Sequence, residues 1–126
     1  TRLYPDSEYA RRARYWRAVA LMNNSAGPRY GVSNVRDAEI LFAEYLEDYP
    51  ESENSKEVRR QLVLARSIQA QWALHCAEFY RSRGEDNAAA MYYRQVLGTP
   101  KFSGLPAIDE ARRALASLEE GEEDDR

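Results

Sequence analysis

The chain has a single cysteine, Cys76, and a single histidine, His75. One thiol cannot form an internal disulfide, and the pair cannot build a Cys/His zinc site. Adjacent helical residues point about 100° apart, so neighbours in sequence are not thereby a nucleophile and its base. Cys76 falls on an apolar helical stripe and reads as a small core residue. No glycine motif of the phosphate-cradling kind is present. No apolar run approaches the roughly 20 residues of a membrane span. No excess of one charge exists either: 18 Lys and Arg face 21 Asp and Glu, a net charge of −3. Bulk electrostatics therefore give a nucleic-acid role no support. The residues suggest no catalytic group, no metal site and no cofactor. Glycine and proline are scarce, and neither occurs between Glu51 and Arg83.

What the chain does have is a rhyme. Residues 38–50 read AEILFAEYLEDYP, and residues 89–100 read AAMYYRQVLGTP. Each sets a small residue, an aromatic and a leucine at steps of four, then closes on proline. A partial third copy, Leu3-Tyr4-Pro5-Asp6-Ser7, opens the chain. Self-similarity of this kind signals stacked helical hairpins. Such stacks act as surfaces for partners far more often than as enzymes.

Five helices are expected, and no strand. The first starts near Asp6 or Ser7, either of which can cap it, and runs to about Asn23. Its buried stripe is expected to be Tyr9, Ala13, Trp16 and Ala20. Asn24 to Ser33 reads as a loop, longer than a tight hairpin turn. The second helix runs from Ser33 or Asn34 to Asp48, with Val35, Ala38, Leu41 or Phe42, Tyr45 and Leu46 inward, and Pro50 stops the pattern. Asn54 and Glu57 have the spacing of a capping box for the third helix. Its stripe is Val58, Leu62, Ala65, Ile68, Trp72, Cys76 and Phe79, and Gly84 ends it as a left-handed cap. The fourth spans Asp86 to Leu97, where Ala88, Ala89 and Ala90 allow close approach. The fifth starts near Pro106 and runs through Ile108, Ala111, Leu115 and Leu118. One domain is expected over 1–118, followed by an acidic tail over 119–126 that should fray.

Ala38, Phe42, Leu46 and Pro50 resemble the second helix of a tetratricopeptide repeat. Trp16 and Ala20 fit the large and small positions of a repeat's first helix, and Ala77, Tyr80, Gly84, Ala89 and Tyr93 fit the next repeat. The expected fold class is all-α, a tetratricopeptide-type α-solenoid of about five helices in antiparallel hairpins. The prolines at 5, 50 and 100 are too widely spaced for a plain unit of about 34 residues. The excess lies in the Asn24–Ser33 loop and the long third helix. With the stop Tyr49-Pro50-Glu51-Ser52 and the run Ala77-Glu78-Phe79-Tyr80-Arg81-Ser82-Arg83-Gly84 before an alanine-rich helix, the chain resembles the BamD (ComL) family. Those are the tetratricopeptide lipoproteins of outer-membrane β-barrel assembly.

The resemblance covers roughly residues 4–118 and implies a middle-to-C-terminal slice of such a protein. It implies a periplasmic, outer-membrane-associated, non-enzymatic scaffold. The implied partners are the barrel-forming assembly subunit and other assembly lipoproteins, with membrane contact only through an N-terminal lipid anchor absent from this chain. The residues alone leave open a general tetratricopeptide adaptor, either a Tol–Pal-type periplasmic coordinator or a cytosolic peptide binder. They also leave open a helical domain attached to an enzyme.

In such repeats the first helix of each hairpin lines the groove. Spacing from Trp16 places Arg14, Arg17 and Leu21 there; spacing from Ala77 places Gln71, Leu74, Glu78 and Arg81. Arginine suits carboxylate-bearing partners because its planar fork makes two contacts. Arg29 and Tyr30 mark the long loop as a second candidate surface. Changing both Arg14 and Arg17 to Glu is expected to weaken partner capture with the helices intact. Trp72→Ala is expected to cost roughly 3–5 kcal/mol if the ring is fully buried.

Overall fold

The computed structural model describes the backbone of residues 8–23 and 31–124 and the side chains of 8–23 and 32–121. The expected cap at Asp6 or Ser7, the partial copy at Leu3–Ser7, and Arg29 and Tyr30 lie outside these residues. Five α-helices and no strand occur among the described residues. They are α1 (Glu8–Asn23), α2 (Gly31–Asp48), α3 (Ser55–Ser82), α4 (Asp86–Gly98) and α5 (Pro106–Asp124), with a 3₁₀ turn at Pro100–Phe102 before α5. The arrangement is the all-α, tetratricopeptide-like set of helical hairpins that the sequence led us to expect.

Helix α2 begins at Gly31, inside the expected loop. A first helical turn needs no intrahelical partners for its amides, so Gly31 and Ser33 are tolerated there. Helix α5 continues to Asp124, past Leu118. Helix α3 ends as expected, because Gly84 takes φ +78°. The Glu85 amide donates to the Tyr80 carbonyl at 2.9 Å, and the Gly84 amide to Arg81 at 3.0 Å. These are the two bonds of a Schellman motif.

Packing divides the chain into two units, Thr1–Ile68 and Gln69–Arg126, and the division falls within α3. In the first unit the core is Ala18, Met22, Val35, Ala38, Phe42, Tyr45, Tyr49, Val58 and Ala65. Glu39 is also buried there, and its carboxylate accepts from Arg66 Nε at 3.0 Å. The expected face of α2 is inward, with Phe42 fully buried and Leu41 packed at its edge. The expected face of α1 is not. Tyr9 is 85% exposed and Trp16 62%, while Ala18 and Met22 are buried. At about 100° per residue, the Tyr9–Ala13–Trp16–Ala20 stripe is opposite the buried side. Helix α1 carries apolar residues on two opposed sides, and periodicity alone does not choose between them.

The second unit buries Ala70, Ala73, Leu74 and Ala77 of α3 against Ala89, Ala90, Tyr93 and Val96 of α4 and Ala107, Ala111 and Leu118 of α5. Trp72 and Cys76 are half-buried and Phe79 is half exposed. The expected stripe simply carried the first unit's line onward. The second unit instead uses alanines, whose small side chains let helix backbones approach closely, with Tyr93 and Phe102 filling the volume between. Lys101 Nζ ties the 3₁₀ turn to Gln69 Oε1 of α3 at 2.8 Å.

Phe42→Ala, at a fully buried ring, should cost about 3–5 kcal/mol in urea denaturation. Trp72→Ala, at a half-buried ring, should cost clearly less than Phe42→Ala.

Candidate protein-docking surface

Four arginines of α1 stand at positions 11, 12, 14 and 17, and the fold uses them differently. Arg11 lies on the buried side with its side chain 12% exposed. Its Nη1 donates to the Tyr45 hydroxyl at 3.0 Å and to Asn54 Oδ1 at 2.7 Å. Its Nη2 reaches Glu53 at 3.5 Å. The Tyr45 hydroxyl in turn meets Ser52 Oγ at 2.8 Å. The hydrogen bond to Tyr45, ahead of the nearby carboxylate, raises the Arg11 pKa above its ordinary value. The expected capping box is therefore replaced: Asn54 Oδ1 serves Arg11, and Glu57 accepts from Arg60 and Gln61.

Arg14 is part of the same seam. Its Nη1 is 2.7 Å from Asp48 Oδ2, and its guanidinium is 5.2 Å from the Tyr49 ring centre. Burial works to lower its pKa, but Asp48 and Tyr49 outweigh that, so the pKa rises. Arg14 thus holds α1 to the end of α2. Its guanidinium is paired within the chain although its side chain is still 37% exposed. Arg12 pairs with Glu8 at 2.7 Å.

Arg17 is different. It has no hydrogen-bond or ion-pair partner among the described residues. With Ala20 and Leu21 it forms one wall of a groove whose other wall is Asp37, Ile40 and Leu41 of α2. The groove is open to solvent and offers a volume of about 460 Å³. Ile40 is 52% exposed at its edge. The structure places Arg17 and Leu21 on one groove with Asp37, Ile40 and Leu41, three residues that the sequence reading did not single out as a surface. Their i, i+3, i+4 spacing is a face signal, but the deeper-buried Val35–Ala38–Phe42 line masks it.

The second set of expected surface residues is engaged within its own unit. Leu74 is buried at 4% exposure, packed in the core that α5 shares. Gln71 Nε2 is 3.3 Å from Glu110 Oε2 of α5, and Arg81 Nη2 donates to Ser117 Oγ at 2.9 Å. Helix α5 therefore borders the face that was expected to be open. Glu78 remains exposed.

Reactive chemistry is sparse. Burial pushes the Cys76 thiol up, the opposite of an activated nucleophile. His75 stands beside Trp72, with ring centres 5.7 Å apart. Among the described residues, no group of three His, Cys, Asp or Glu side chains is placed to hold a metal ion. No helix there is long and apolar enough to cross a membrane.

The sequence profile of the YfiO family, described as outer membrane lipoproteins, matches residues 1–123. No curated protein and no solved structure matches the chain.

Arg11→Ala leaves Asn54 Oδ1 without its donor and the Tyr45 hydroxyl with Ser52 alone, and should cost about 2 kcal/mol in urea denaturation. Arg17→Ala, at an unpaired side chain, should stay within about 0.5 kcal/mol of the parent.

Proposed function

The chain belongs to the YfiO family of outer membrane lipoproteins, and from that we propose that it is a non-enzymatic scaffold for outer-membrane protein assembly. Its direct partners are the barrel-forming assembly subunit and companion lipoproteins, met on the periplasmic side. The family match over residues 1–123 carries this reading. The side-chain chemistry agrees with it. Several polar groups join one helix to another, and the open features include the α1–α2 groove and exposed apolar side chains such as Trp16 and Met91.

A scaffold of this kind works by rigidity. Its helices bury alanines and aromatics in two cores, so within each unit the outward side chains are held at fixed spacing. A partner then loses its own freedom on binding, but the scaffold loses little.

The test is capture of the purified barrel-forming subunit's soluble domain by the immobilised chain. Saturable binding at physiological salt is the expected result. A helical, correctly folded chain that retains neither that domain nor a companion lipoprotein would overturn the proposal.

A further inference from the structure

We infer that the α1–α2 groove takes a short amphipathic helix from a protein partner, one whose aliphatic stripe is flanked by a carboxylate on one side and a cation on the other. The inference rests on the scaffold reading and specifies the partner element that this site recognises.

The first observation is the aliphatic part of the lining. Ala20, Leu21, Ile40 and Leu41 present aliphatic surface in a volume of about 460 Å³. That is room for a few side chains, not for a folded domain, so a partner enters with one or two helical turns.

The second is the rim. Arg17 and Asp37 border the groove on opposite walls. Neither has a hydrogen-bond or ion-pair partner among the described residues. Arg11, Arg12 and Arg14 on the same helix are all paired within the chain. The fold has thus left one cation and one anion facing an apolar trough. A guest that buries its stripe there brings its flanking charges against these two, so an acid pairs with Arg17 and a base with Asp37.

The third is the backbone. Both walls are helix flanks, whose amides and carbonyls are already bonded along the helix. An extended peptide gains no edge to pair with, unlike a strand added to a sheet. A guest with its own backbone satisfied avoids that deficit, and a helix laid in a groove is such a guest.

The probe is a synthetic helical peptide with Leu at positions i, i+3, i+4 and i+7, Glu along one flank and Lys along the other. Binding is read by fluorescence anisotropy and located by amide chemical shifts. Shift changes centred on Arg17, Ala20, Leu21, Ile40 and Leu41 are expected. Arg17→Asp should weaken this probe on the order of tenfold, and a probe with Lys on both flanks should restore affinity to that variant. Ile40→Arg, which fills the trough with a charge, should abolish binding while circular dichroism stays unchanged. Equal affinity of both probes for parent and Arg17→Asp would overturn the inference. So would shifts centred elsewhere, or a groove blocked by self-association in sedimentation equilibrium. Capture of the barrel-forming subunit by Arg17→Asp at the parent's level sinks the groove but leaves the scaffold standing. Failure of the parent to capture it sinks the scaffold reading itself.

Discussion

The seam between α1 and the end of α2 sets the arrangement of the first unit. Arg11 binds Tyr45 and Asn54, and Arg14 binds Asp48 and stacks over Tyr49. The aromatic rings continue the seam, with Tyr15 6.2 Å from Tyr45 and Tyr45 5.1 Å from Tyr49. A guanidinium on the buried side of a helix must find acceptors or lose more than an apolar residue gains by being there. The acceptors that Arg11 and Arg14 find across the seam lie where α2 ends and α3 begins. They therefore fix the rotation of α1 about its own axis. Ala18 and Met22 turn inward, and Trp16 and Arg17 turn out. The open groove is a consequence of that rotation.

This explains what could be seen in the sequence and what could not. Pro50, the helix without a break from Ser55 to Ser82, and the left-handed Gly84 depend on residues within a turn or two of one another. Such signals survive in a linear string. The face of α1 depends on partners 34 and 43 residues away. Its aromatic stripe at Tyr9 and Trp16 is the louder signal, and the quieter one at Ala18 and Met22 is what the core uses. In the second unit, aromatics again draw attention to Trp72 and Phe79, while alanines do the packing. Small residues that permit close approach carry little weight in a hydrophobicity pattern.

The same reasoning sorts the candidate surface. That Arg17 and Leu21 share a side of α1 could be read from their spacing of four. The role of Asp37, Ile40 and Leu41 could not, because it depends on how α2 is rolled against α1. Arg14 looked like its neighbour Arg17, and only the structure shows that one is spent on Asp48 and the other is not. Gln71, Leu74 and Arg81 looked open because nothing in their own stretch announces α5. The fold thus treats chemically similar residues differently, pairing Arg14 within the chain and leaving Arg17 unpaired among the described residues.

The rotation of α1 is open to direct measurement through Trp16. In a Trp72→Phe background, Trp16 is the sole tryptophan. Its fluorescence in dilute native protein should be red-shifted and readily quenched by acrylamide, as for an indole 62% exposed. Emission that is blue-shifted and protected from quencher would place the Tyr9–Trp16 stripe inside. That result would contradict both the seam and the groove it leaves open.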